Sequence, residues 1–108
     1  MLVNKIYGLL GICSKAGKIT AGTEAVIEGI LKNQIELVII AEDTSQKTKQ
    51  KIEKICAEKK VMVKIFGTIF DNSNAIGKVN KAIIGIKDKN LSKAILEKIC
   101  GGEMLEGK

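Results

Sequence analysis

Several groups of residues have types and spacings that chemistry could use. The segment GICSKAGKIT, residues 11–20, places two glycines ahead of a lysine, the outline of a phosphate-cradling loop. A P-loop needs a tighter glycine spacing, and a Ser or Thr directly after its lysine to hold magnesium. Here five residues separate Gly11 from Gly17, and Ile19 follows Lys18. Ser14-Lys15 suggests a Ser–Lys dyad, but neighbours at a helix end point in different directions and cannot share a proton. Glu24, Glu28 and Lys32 fall at i, i+4 and i+8, a ladder along one side of a helix. It reads as an acid–base or metal pair, or more simply as a solvated face with a favourable Glu28–Lys32 pair and Glu24 helped by the helix N-terminus. Asp43 follows a buried strand, where open α/β sheets place ligands, and it can equally turn the chain into the next helix. With no histidine, the commonest general acid–base group is missing. Cys13, Cys56 and Cys100 lie far apart with no CxxC pair, so they read as small buried hydrophobes in a reducing compartment. No cofactor or metal is expected.

The chain of 108 residues is the size of one domain. Its 18 basic residues are all lysines, against 12 acidic ones, for a net charge of +6. That balance suits a polyanionic partner met by point charges rather than by the bidentate forks of arginine. The apolar N-terminal run is broken by Asn4 and Lys5 and lacks a signal-peptide pattern, and no stretch is long enough to span a bilayer. The expected setting is cytoplasmic, with no membrane partner.

Helical periodicity runs from residue 2 to 15 and ends near Gly17, followed by a short strand, KITA. Gly22-Thr23 opens a second helix with Val26, Ile27, Ile30 and Leu31 on one face, ending at Asn33. ELVIIA, residues 36–41, is a continuous β-branched run, the pattern of a strand covered on both faces. Glu42-Asp43-Thr44 should turn and cap a third helix reaching about Lys60. VMVKIFG is the next strand, Thr68 caps a short helix, and KAIIGIKD is the last strand. A closing helix should stop at Gly101-Gly102, leaving residues 101–108 as a flexible tail beyond a single domain of residues 1–100. Alternation of this kind predicts an α/β fold, a three-layer α/β/α sandwich on a mixed sheet of about four strands.

The second helix begins where free N–H groups point outward, Gly22 permits close approach, and Lys15 and Lys18 lie just upstream, which makes an anion site of the helix end. The polar element NSNAIGKVNK, residues 72–81, precedes the last strand and adds Lys78 and Lys81. Tyr7, Phe66 and Phe70 are the only aromatics. All three can be accounted for by packing, which disfavours the stacking of single-stranded bases on exposed rings and leaves a structured, phosphate-rich shape as the partner.

GKITAGTEAVIEGILKNQIELVIIAEDTS, VMVKIFGT and AIGKVNKAIIGI resemble, in order and spacing, the kink-turn-binding ribosomal protein family (the L-seven-Ae family), and most closely its small bacterial YlxQ-like branch. The likeness covers residues 2 to about 100. It implies a sandwich that grips a sharply bent RNA with the start of the second helix and the loop before the last strand. Carried across, Gly22 matches the family glycine, Thr23 follows it, and Lys78, Val79, Asn80 and Lys81 match the loop that packs on the kink. The family's base-reading Asn, Glu and Lys fall on Glu24, Ala25 and Glu28, so none of those identities is kept.

The reading is a non-enzymatic RNA-binding protein related to ribosomal proteins, with structured RNA, ribosomal RNA included, as its partner and no small-molecule substrate. Lys15, Lys18, Lys32, Lys78 and Lys81 would neutralise phosphates, Gly22 and Thr23 would present backbone donors, and Thr23 and Asn80 would make polar contacts. The alternatives are a ribosome-associated protein-interaction module that has lost kink-turn reading, and a small-ligand domain using a pocket near Asp43.

Overall fold

The computed structural model describes residues 2–106. Its elements are α1 (Leu2–Lys15), β1 (Ile19–Ala21), α2 (Thr23–Leu31), β2 (Leu37–Ile40), α3 (Gln46–Lys59), β3 (Met62–Ile65), α4 (Ile69–Ala75), β4 (Ile83–Ile86) and α5 (Lys89–Glu106). The strands form one mixed sheet in the order β1-β4-β2-β3. β4 pairs antiparallel with both β1 and β2, while β2 and β3 run parallel. Every residue of β2 and β4 is buried, as expected of β-branched runs in the middle of a sheet covered on both faces.

Alternation along the central strands divides the core in two. Leu37, Ile39, Ile84 and Ile86 face one way and pack with Ile6, Leu10 and Cys13 of α1 and Ile95 of α5. Val38, Ile40 and Ile83 face the other way, onto Val26 and Ile30 of α2 and Ile52 and Cys56 of α3. The result is the α/β/α sandwich that the periodicities predict. Gly85 and Gly29 have a packing reason: a Cβ on either would lie within 3 Å of the Ile35 side chain, which fills the space they leave.

Three local expectations are corrected. α3 is capped not by residues 42–44 but by Ser45, whose Oγ accepts from the Thr48 N–H at 3.3 Å. Asp43 serves a different helix, accepting the Ile69 N–H at the start of α4 at 2.8 Å. α5 does not stop at Gly101-Gly102 but continues to Glu106, since glycine inside a helix costs only about 1 kcal/mol relative to alanine. Cys13 and Cys56 are buried, but Cys100 is only half-buried. No helix among the described residues is long and apolar enough to cross a membrane.

Candidate nucleic-acid interface

α2 begins without a side-chain cap. Gly22 donates its N–H to Ile83 O at 2.9 Å, tying the helix start to the first residue of β4, and the first helical bond runs from Val26 N–H to Gly22 O. The N–H groups of Thr23, Glu24 and Ala25 therefore point out of the helix end with no helical acceptor. Gly22 has φ 104° and ψ 147°, a region essentially restricted to glycine. It is half-exposed, as is Thr23, so the helix end is open to a partner.

The loop before β4 is built by one buried serine. Ser73, in α4, accepts the Lys81 N–H on its Oγ at 2.8 Å and donates back to Lys81 O at 3.3 Å, and its carbonyl takes the Lys78 N–H at 2.9 Å. Both ends of the loop are thus pinned to one residue. Between them Asn80 adopts the left-handed region at φ 56°, and Lys78, Val79 and Asn80 are all exposed. The Lys81 side chain crosses to the other element: a Cβ built on Gly22 would lie 3.9 Å from Lys81 Nζ. The helix start and the lysine loop therefore meet on one edge of the molecule.

Lys15 adjoins this edge, lining a groove of about 300 Å³ with Ser14, Asn74 and Gly77, held by a 3.0 Å bond from Ser14 Oγ to Ile76 O. Two expected contributors lie elsewhere. Lys18 is at the opposite end of β1, where its carbonyl accepts the Lys87 N–H, about 13 Å of extended chain from Gly22. Lys32 caps the far end of α2, about 13 Å along the axis from Thr23, and its Nζ lies 3.5 Å from Glu28 Oε2. Glu24, Ala25 and Glu28 are exposed along the same helix.

Phe70 corrects the reading of the aromatics. Tyr7 and Phe66 pack together, ring centroids 5.4 Å apart, but Phe70 is 77% exposed and Val79 81%. These two flank a small pocket of about 90 Å³ whose other walls are Ser73, Asn74, Lys78 and Asn80. A helical wheel contains the signal: α4 buries Asn72, Ser73 and, beyond its end, Ile76, which turns Phe70, Asp71 and Asn74 outward.

The displaced pKa values belong to packed groups. Burial pushes the Cys56 thiol up to about 11 and raises the Cys13 thiol as well. Tyr7 is raised by burial first, then by the charges of Asp71 and Glu42. Raised thiols are held as the un-ionised, unreactive form. Among the described residues no group of three or more His, Cys, Asp or Glu gathers as metal ligands would. The Asp43 carboxylate near the end of β2 is engaged by Ile69.

The arrangement can present backbone donors, lysine charges and two exposed apolar side chains to a polyanion. Comparison with known proteins agrees with the RNA reading at that level. The chain is 27% identical to the RNA-binding protein YlxQ of Bacillus subtilis (strain 168) over 90 residues, 83% of this chain and 90% of the relative. It is 30% identical to the RNA-binding protein YlxQ of Enterococcus faecium over 97 residues, 90% of this chain and 93% of the relative. A solved structure from Bacillus halodurans C, of a protein with unknown function, superposes with a TM-score of 0.86 at 32% identity, over 88% of this chain and 96% of the other. The Giardia lamblia 15.5kD RNA binding protein shares the fold, with a TM-score of 0.79 at 20% identity over 96% of this chain and 89% of the other. The profile of the ribosomal protein L7Ae/L30e/S12e/Gadd45 family matches residues 4–96, and the chain belongs to that family.

Proposed function

We propose that this protein is a non-enzymatic, cytoplasmic RNA-binding protein that grips a folded, sharply bent RNA of the kink-turn kind, ribosomal RNA being the first source to test. The observation that carries the reading is the meeting of the α2 start with the Lys78–Lys81 loop, Gly22 against the Lys81 side chain. Thr23 and the backbone beside Gly22 supply donors, Lys15, Lys78 and Lys81 supply charge, Asn80 a polar contact, and Val79 with Phe70 an apolar one. Lys18 and Lys32 are assigned no part, since each lies about 13 Å from the start of α2.

Exposed Glu24 and Glu28 favour a second reading, a ribosome-associated protein-interaction module, since carboxylates beside phosphate repel. Titration of a labelled kink-turn RNA and an unkinked duplex of the same composition, at about 50 and about 200 mM salt, separates the two. Tighter binding of the kinked RNA with a steep salt dependence is expected. Equal, weak binding of both RNAs refutes the kink-turn reading, and no binding of either supports the protein module.

A further inference from the structure

The sheet has an open edge on the side away from the Gly22 surface. β3 is the terminal strand, paired only with β2 among the described residues. Phe66 N–H donates to Ile40 O at 2.9 Å, and hydrogen-bonding direction alternates along a strand. Val63 and Ile65 therefore turn their N–H and C=O groups outward. Soluble proteins usually blunt such an edge with charge, bulges or proline. Here the only charge is Lys64 within the strand, and the two ends are apolar and exposed, Met62 at 50% and Ile65 at 45%.

Beside Met62 the edge opens into a pocket of about 250 Å³ between the sheet and α5. Leu37 and Leu96 form its apolar floor, and Ser92 lines it. The Ser92 hydroxyl is a second, independent sign of a ligand, since the residue is only 6% exposed and its Oγ has no hydrogen-bond partner among the described residues. Buried hydroxyls are ordinarily paired. Lys89 and Lys93 stand on the rim with Glu36 as the one acid, and Lys64 lies on the strand itself. The balance of charge is positive.

We infer that the β3 edge and the pocket beside Met62 form a docking site for an extended, acidic segment of a partner protein, added to the sheet as a fifth strand. The partner's backbone would pair with Val63 and Ile65, one threonine side chain would enter the pocket with its methyl over Leu37 and Leu96 and its hydroxyl on Ser92 Oγ, and carboxylates on the same face of the strand would meet Lys64, Lys89 and Lys93. Main-chain pairing supplies affinity in strand addition, and the side-chain pocket supplies choice of partner.

The test uses the full chain, labelled with ¹⁵N and with ¹³C at the methionine methyls, and a synthetic peptide of about eight residues, long enough to cover a typical strand, whose every second residue reads Glu-Thr-Glu so that acid and pocket residue share one face. A matched peptide carries lysine in place of glutamate. At saturation the acidic peptide should slow hydrogen exchange of the Val63 and Ile65 amides at least about tenfold and shift the Met62 methyl. The lysine peptide should do neither, and Met62→Glu should weaken the acidic peptide at least about tenfold. Unchanged Val63 and Ile65 amides, equal protection by both peptides, or protection confined to another surface overturns the inference. Slowing that grows with protein concentration in the absence of peptide assigns the edge to a second copy of the chain and also overturns it.

Discussion

If phosphates are met on the Gly22 edge, the lysines should not be equivalent. Lys15, Lys78 and Lys81 lie on or beside it, while Lys18 and Lys32 do not. For duplex-like nucleic acid the slope of log affinity against log salt is about −0.9 per phosphate neutralised, so three contacts give about −2.7 and a loss of about 40-fold between roughly 50 and 200 mM salt. Lys78→Gln with Lys81→Gln should bring the slope to about −0.9 and the loss to about 3- to 4-fold. Gln keeps the Lys81 backbone bonds to Ser73, so the melting temperature should stay within about 3 °C. Lys18→Gln with Lys32→Gln removes the same formal charge from other parts of the surface and should leave the slope within about 0.3 of the parent. Fluorescence anisotropy with a labelled kink-turn RNA at four salt concentrations measures all three proteins. A slope lowered equally by both double variants would mean that charge acts diffusely, and the assignment of the interface to this edge would fail.

Phe70→Ala with Val79→Ala should weaken RNA binding by about 1–3 kcal/mol if a base rests on them, and change folding stability by less than about 0.5 kcal/mol, read by isothermal and scanning calorimetry. Glu24→Asn with Glu28→Lys should tighten kink-turn binding by about 1–3 kcal/mol for each base contact regained, and losing the exposed Glu28–Lys32 pair should cost less than about 1 kcal/mol of stability. Ser73→Ala leaves the Lys81 N–H without its acceptor, and urea denaturation should show a loss of about 1–3 kcal/mol together with faster exchange of the Lys81 amide. Because the Cys56 thiol stays protonated in the fold up to about 11, against the usual 9.0, only the unfolded chain ionises it in between. Stability from this source is whole below pH 9 and falls as pH rises towards 11, by an amount on the order of 2 kcal/mol that Cys56→Ala should not show in parallel urea titrations.

The layers of the fold were legible because burial writes periodicity into a chain. ELVIIA has the continuous apolar character of a strand covered on both faces, KAIIGIKD has it but for Gly85, and β2 and β4 are the two strands buried throughout. Which acid caps which helix was not legible. Asp43 reaches α4, 26 positions later, so local spacing held no trace of it. The grouping of lysines is hidden for a related reason: Lys18 is near Gly22 in sequence, but a strand lies between them and carries each to an opposite end of the sheet. Aromatic content is not core content at Phe70, because the wheel of α4 turns that position to solvent.

Residues at the proposed interface differ in what they say about function. Gly22 is required by the backbone at φ 104° whether or not RNA binds, and alanine there would meet strain on the order of 1–3 kcal/mol, its methyl group in ordinary contact with Lys81 Nζ at 3.9 Å. Ser73 is required to close the loop. Loss of binding in variants at either residue would therefore report the fold as much as the contact. Lys78, Val79 and Phe70 have no such duty: they are exposed, and the hydrogen bonds at Lys78 come from its backbone. An apolar side chain four-fifths exposed gains little from folding, so packing does not account for Val79 beside Lys78, Asn74 and Asn80, and the proposed RNA contact would. The functional reading stands or falls on those side chains, and a variant at Val79 that folds as the parent does and binds RNA equally well would remove the apolar half of the interface.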